Sequence, residues 1–282
     1  MQPGQPSRTA LAAASYRAAH QLLEEGRVFA DPLATAVLGV PTAQLLAGDT
    51  QAPATRSMRL FTAARSRFAE DSLAAAVARG VRQYVVLGAG LDTFAHHNPF
   101  AAQGLRVFEV DYPATQAWKQ QRLADAGLAA PASLTFAPVD FERQTLAQGL
   151  AAAGFDAAAP AFFAWLGVTV YLTREAVVDT LRFIAGVPGG EVVFDYGEPL
   201  SAFPEGEARA RQAARAERAA AMGEPWITRL VPAELAAALQ GFGFDDLEDL
   251  GPAQISRRFY GVERRDGPGG HFMRAARLDL GR

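Results

Sequence analysis

Apolar residues follow two different periods along this chain, and the change falls near Val81. Residues 7–80 carry helical spacing and no run that reads as a strand. Ser7 is placed to cap a helix through Leu11, Tyr16 and Leu23, because its hydroxyl can accept from a free first-turn N–H. Asp31-Pro32-Leu33 predicts a restart, with the aspartate as cap and the proline in the first turn. Residues 40–55, rich in Pro, Gly and Thr, predict loops and a short helix; a longer helix follows over about 58–78 and stops at Gly80. Beyond Val81 the pattern changes. Tyr84-Val85-Val86-Leu87 is continuously apolar and halts at glycine, as a strand covered on both faces does. Residues 105–110, 134–137, 161–165 and 191–195 predict four further strands, separated by helices over about 114–126, 143–153 and 174–185. This alternation predicts a doubly wound α/β sheet. After Tyr196 the rhythm stops. An Ala/Arg/Glu-rich segment over about 205–222 reads as a solvated surface helix, Pro232 opens a helix through Leu239, and residues 272–280 form a strand-like tail.

Composition narrows the function classes. The chain has 282 residues, half of them hydrophobic, enough to bury a sizeable core. The formal charge is -3 and no basic stripe stands out, so a nucleic-acid partner is not expected. There is no cysteine, which removes disulfides, thiolate metal sites and cysteine nucleophiles. The four histidines are scattered apart from His96-His97, so no metal site is expected. The N-terminal residues are polar and lack an apolar signal core, and no apolar run reaches the roughly 18–20 residues that cross a bilayer. A soluble, cytoplasmic protein without a membrane partner is the expectation.

Candidate chemistry centres on Gly88-Ala89-Gly90-Leu91-Asp92-Thr93. Glycines at the end of the first strand of the alternating region allow close backbone approach to a ligand, and open α/β sheets bind ligands at strand carboxyl ends. Thr93 stands where a dinucleotide fingerprint carries its third glycine. Asp92 would repel a phosphate but suits an ammonium group. S-adenosylmethionine carries an ammonium and no phosphate. Glu109 and Asp111 close the next strand about 20 residues on, where an acid can accept from ribose hydroxyls. Asp140 and Phe141 occupy the matching place after the third strand; an acid there can accept from an adenine amino group beside an aromatic face, and a helix cap at Asp140 is the equal alternative.

Together with Ser7-Arg8-Thr9-Ala10, Phe29-Ala30-Asp31-Pro32-Leu33-Ala34, residues 65–71, Phe108-Glu109-Val110-Asp111-Tyr112-Pro113 and residues 165–173, these motifs resemble the leucine carboxyl methyltransferase-like group of class I S-adenosylmethionine-dependent methyltransferases, particularly its bacterial members. The resemblance covers about residues 7–245. It implies a seven-stranded Rossmann-like sheet over residues 81–282, a helical N-terminal cap over 1–80, and a cap insertion at about 200–231 that selects the acceptor. It implies that Arg65 pairs with the cofactor carboxylate, a task that suits a guanidinium fork; a helix-surface ion pair is the alternative. It implies that Gly88, Ala89 and Gly90 line the methionine part, that Asp111 binds the ribose with Glu109 as second choice, and that Asp140 and Phe141 take the adenine end. Many relatives carry glutamate where this chain has Leu166, which can pack on a cofactor but cannot accept a hydrogen bond through its side chain.

Methyl transfer from a sulfonium is an in-line displacement, so positioning does most of the work. A carboxylate acceptor is ionised at neutral pH and needs no base, whereas a hydroxyl needs one. No base stands out: His96-His97 read as surface or helix-end residues, His20 as structural, and His271 as a tail residue within possible reach. Arg8, Tyr171, Tyr196 and His271 are the candidates to line the site of a small-molecule acceptor. O-methylation is favoured, with a carboxylate ahead of a hydroxyl. Two alternatives stand beside it: an NAD(P)-dependent oxidoreductase, against which Asp92 and Thr93 count, and a non-catalytic S-adenosylmethionine-binding protein.

Overall fold

The computed structural model describes residues 8–47, 52–141, 143–221 and 223–278, with the side chain of Arg8 left out. Ser7 therefore lies outside the described residues. The chain divides into two compact units, residues 1–157 and 158–282. Its seven strands belong to one sheet in the order β3-β2-β1-β4-β5-β7-β6. The doubly wound α/β expectation is met.

The first unit opens with helices α1 (Arg8–Leu23), α2 (Ala34–Leu38), α3 (Thr42–Leu46) and α4 (Pro53–Ala78). Helix α4 starts five residues earlier than expected, because Pro53 is pre-set for a first turn. It ends where Gly80 adopts φ 103. Beyond it lie β1 (Gln83–Leu87), α5 (Phe94–His97), β2 (Arg106–Asp111), α6 (Pro113–Asp125), β3 (Leu134–Pro138) and α7 (Leu146–Ala152). Strands β1, β2 and β3 are parallel, and β1 is buried along its whole length. The N-terminal helices share a core with the α/β part of this unit: Ala14, Ala18, Ala34, Val37 and Leu38 are buried against Leu91 and Leu123.

Buried charge welds α1 to α4. Arg59, 1% exposed, donates from Nε and Nη2 to Glu24 at 2.7 and 2.6 Å. Glu24 also meets His20 Nδ1 at 3.2 Å, and His20 Nε2 accepts from the N–H groups of Val28 and Phe29. His20 is thus a structural residue, as its place in the first helix predicts.

The second unit holds β4 (Ala161–Trp165), α8 (Arg174–Gly186), β5 (Glu191–Gly197), α9 (Glu207–Ala221), α10 (Pro232–Gly241), β6 (Asp246–Leu250), α11 (Pro252–Ile255) and β7 (Gly270–Ala276). Strand β4 runs parallel to β5, and β7 runs antiparallel to both β5 and β6. Helix α9 buries only Ala219, in keeping with a solvated helix. Strand β6 has the sequence Asp-Leu-Glu-Asp-Leu and carries no apolar run to reveal it. Its acids are met from neighbouring elements: Arg274 Nη1 donates to Asp246 at 2.8 Å and Arg258 Nη1 to Glu248 at 2.7 Å. A charged edge strand also resists pairing with other chains.

The most exacting ion pair of the first unit is Glu109 with Lys119. Both are essentially buried, 2.5 Å apart, and the second oxygen of Glu109 has no hydrogen-bond partner. Burial pushes the Glu109 carboxyl up to about 7, against the opposing pull of Lys119. Removing the cation strands a buried carboxylate, so Lys119→Met should cost about 3 kcal/mol at pH 8 and less at pH 5, where Glu109 takes up a proton. Urea unfolding at the two pH values measures this; an equal or smaller loss at pH 8 would contradict it.

Candidate functional site

The parallel register of β1, β2 and β3 brings the predicted residues of the first unit to one edge. Leu87 lies beside Val110, and Asp111 beside Pro138. Gly88-Ala89-Gly90, Asp111 and Asp140 therefore follow one another across three strand ends. Gly88 and Gly90 have φ of 68 and 48, the left-handed region where a side chain is strained. The N–H groups of Gly88 and Ala89 both donate to Val110 O, at 2.9 and 3.0 Å. Gly90 N–H donates to Asp111 Oδ2 at 2.6 Å, and Tyr112 N–H to Asp111 Oδ1 at 2.7 Å. A Cβ at Gly90 would stand 3.0 Å from Ala10 Cβ, so α1 packs directly on the turn.

Asp111 is half-buried, and its oxygens keep lone pairs for a further partner. Burial raises its carboxyl above the ordinary value, and the two backbone N–H groups work the other way. Glu109, two residues earlier, is fully buried against Lys119. Of the two acids closing β2, Asp111 is the one left open to a further partner. Asp92 Oδ1 accepts from Phe94 N–H at 2.9 Å and steers the chain into α5. Asp140 pairs with Arg143 at 3.4 Å, and its main-chain oxygen accepts from Arg143 and Gln144. The neighbouring Phe141 ring is 64% exposed, an apolar face open to cover. Arg65 lies half-buried on α4. A glycine turn, a reachable acid and an open aromatic face along one edge fit a nucleoside that carries an amino-acid tail.

Sequence reasoning missed the support beneath this turn. Asp31, expected as a helix cap, is 2% exposed and accepts from Arg17 Nε at 2.9 Å and from Thr93 Oγ1 at 2.7 Å. It does accept from Leu33 N–H, but Leu33 is the residue that caps α2. Arg17 Nη2 donates to Leu91 O at 2.5 Å. Helix α1 and the 31–33 segment thus hold Leu91 and Thr93 on either side of Asp92. The signal was Asp31 itself, an acid two residues from a large apolar side chain, but its partners lie far away in the chain.

His96 and His97 end α5 and are half-buried, and the ring nitrogens of both lack a hydrogen-bond partner. His97 Nε2 stands 3.9 Å from Glu70. Burial lowers the pKa of His96, with Lys119 adding to the effect. Among the described residues no cluster of three metal-ligating side chains occurs, and no helix is long and apolar enough to cross a membrane.

In the second unit, Leu166 and Tyr171 are half-buried in the segment after β4. That segment is braced by Asp195, which accepts from Gly167 N–H at 2.5 Å and, through its main-chain oxygen, from Thr169 Oγ1 at 2.6 Å. Tyr196 and His271 face each other across β5 and β7, their rings stacked with centroids 4.8 Å apart. Their polar atoms are already engaged. Tyr196 OH donates to Asp249 Oδ2 at 2.6 Å, and His271 reaches Asp249 through Nδ1 at 2.9 Å and Glu198 through Nε2 at 3.1 Å. Burial lowers the pKa of this imidazole, but the two carboxylates more than reverse it, and the net direction is upward. Both ring nitrogens of His271 thus face carboxylates, which favour its protonated form, and neither stands free as a base. A histidine whose folded pKa is raised adds stability that is complete below its unfolded value of about 6.5 and fades as pH climbs through the folded one. The thermal-stability gap between the natural protein and His271→Gln should accordingly be widest near pH 6 and narrow toward pH 8.5; a gap that does not change with pH would contradict the clamp.

The chain matches the family model described as leucine carboxyl methyltransferase over residues 10–185. A relative from Bacillus subtilis (strain 168), provisionally named an S-adenosyl-L-methionine-dependent methyltransferase, is 37% identical over 199 residues, which span 70% of this chain and 65% of that one. A relative of the same provisional name from Parafrankia sp. (strain EAN1pec) is 37% identical over 213 residues, 72% of this chain and 66% of that one. The matches thus span somewhat less than two thirds of these relatives' lengths. Among solved structures, a DUF574-family protein from Streptomyces avermitilis superposes with a TM-score of 0.55 at 18% identity, covering 90% of this chain and 97% of that one. Magnesium protoporphyrin IX methyltransferase from Synechocystis PCC 6803, solved with bound S-adenosylhomocysteine, gives 0.50 at 11% identity, covering 94% and 99%. At these identities the structures speak for a shared Rossmann-like fold alone. The family match extends over more than half of the chain and agrees with the glycine turn and the acid that closes β2: this protein belongs to the leucine carboxyl methyltransferase family.

Proposed function

We propose that the chain is an S-adenosylmethionine-dependent O-methyltransferase acting on a carboxylate of a small molecule. The observation that carries this reading is the Gly90-to-Asp111 clasp, which fixes a glycine turn and a reachable acid side by side at two strand ends. Asp111 would accept from the ribose hydroxyls, Gly88 to Gly90 would pass along the methionine part, Asp140 and Phe141 would hold the adenine, and Arg65 would pair with the amino-acid carboxylate. When bound, the cofactor supplies a methyl on a sulfonium, and its transfer to a carboxylate oxygen makes an ester, leaves the bonding pair on sulfur and moves no proton.

Two of the four histidines, His20 and His271, are not free to serve as a base for a hydroxyl acceptor. A hydroxyl needs a base, commonly a histidine or a carboxylate. Both ring nitrogens of His20 and of His271 are engaged. His96 and His97 lie on α5, beyond the turn. The chain's own contribution is then to bind and orient two partners, which is what an in-line displacement asks of it. The helical N-terminus and the segment 200–231 are proposed as the cap that selects the acceptor.

Methyl-labelled S-adenosylmethionine offered with panels of small carboxylic acids, phenols and alcohols tests this. The expected product is an ester that releases labelled methanol in mild alkali. Its rate should be nearly flat between pH 6 and 8, because a carboxyl group of pKa about 4 is ionised throughout. Alkali-stable label, in an ether or an amine, would overturn the proposal.

A further inference from the structure

Arg229 is a half-buried cation to which the candidate cofactor site gives no task. It lies on a strap, residues 226–230, fixed by its main chain. The N–H groups of Ile227 and Thr228 donate to Val170 O at 2.7 and 3.2 Å. Thr228 Oγ1 donates to Leu172 O at 2.5 Å, and Leu230 N–H to Gly197 O at 3.0 Å. Thr228 and Leu230 are buried, and the side chain between them is laid over the last residue of β5. The guanidinium stacks 4.4 Å from the centre of the Trp226 ring. A Cβ at Gly197 would stand 2.5 Å from Arg229 Nη1, so glycine at that strand end is what lets the guanidinium rest there.

No carboxylate among the described residues pairs with Arg229. Its Nη1 reaches only the main-chain oxygen of Glu198, at 3.5 Å. The Glu198 carboxylate is turned away, accepting from Gly269 N–H at 2.9 Å and meeting His271 Nε2 at 3.1 Å. The histidine clamp thus holds the acid of this corner off the arginine. Burial lowers the guanidinium pKa and Tyr171 works the other way, but an arginine stays charged at neutral pH. A fixed planar fork, partly withdrawn from water and lacking an anion, is matched by a planar carboxylate. It also sits at the carboxyl end of a strand, where open α/β sheets bind their ligands.

We propose that Arg229, seated on Gly197 and Trp226, binds the carboxylate of the acceptor. This rests on the proposal that the acceptor is a carboxylate.

Calorimetry on the full chain loaded with S-adenosylhomocysteine tests it, with benzoate, phenylacetate and hexanoate as probes and uncharged benzamide as the control. At least one acid should bind the natural protein at millimolar concentration, with benzamide tenfold weaker or more. Arg229→Gln should weaken that acid at least tenfold and leave S-adenosylhomocysteine affinity within twofold; Arg229→Lys, which keeps the charge but not the fork, should fall between. Gly197→Ala retains the arginine but displaces its guanidinium, and should also weaken the acid. If Arg229→Gln loses the nucleoside as well, Arg229→Lys and Gly197→Ala decide. Acid binding that both of these leave unchanged, or no acid binding at all, overturns the proposal. The labelled-methyl assay separates the two ideas. Esters made equally by the natural protein and Arg229→Gln sink the role of Arg229 alone, whereas a natural protein that makes only ethers sinks the carboxylate reading beneath it.

Discussion

One hydrogen bond, from the Gly90 N–H to the Asp111 carboxylate, organises the first unit. At 2.6 Å it joins the carboxyl ends of β1 and β2 and sets the position of the acid a ribose would meet. It needs the chain to turn through two left-handed residues, which glycine does at little steric cost. It also needs Gly90 to lack a side chain for a second reason, the contact with Ala10. Helix α1 therefore both covers the turn and, through Arg17 and Asp31, grips the residues just beyond it. Buried charge is costly unless paired and hydrogen-bonded. Asp31 meets that condition with Arg17, Thr93 and Leu33, and in doing so fixes Asp92 between two anchored neighbours.

The second unit uses buried charge differently. Glu198, Asp249, Tyr196 and His271 satisfy one another, and the imidazole at the centre is shared between two acids. Arg229 is excluded from this arrangement although it touches the backbone of Glu198. One corner of the fold thus carries a closed network and an open cation side by side. The closed network serves stability; the open cation is the group with chemistry to spare.

The strands buried on both faces were plain in the sequence, since β4 and residues 84–87 of β1 are continuous apolar runs. The helix opened by Pro232 begins where a pre-set first turn puts it, whereas α4 begins at Pro53, inside a stretch that reads as loops and a short helix. Strand β6 was invisible because its acids are neutralised by Arg274 and Arg258, residues that no local pattern connects to it. The glycine turn with Asp111 could be read from spacing along two adjacent strands. Asp31 was read as a cap because its partners Arg17 and Thr93 are 14 and 62 residues away. Glu109 and Asp111 were indistinguishable by position, and only the Lys119 ammonium buried beneath β2 separates them. Arg229 gave no signal, because its meaning depends on a glycine at 197 and on where Glu198 turns.

The clasped turn and Asp111 are proposed to seat the nucleoside. A crystal structure with S-adenosylhomocysteine bound tests this most directly. The ribose hydroxyls are expected within hydrogen-bond distance of the Asp111 carboxylate, with the amino-acid tail running past Gly88 and Gly90 and the Gly90-to-Asp111 bond kept. A ligand bound away from this edge, or a ribose held by another acid with Asp111 left idle, would contradict it.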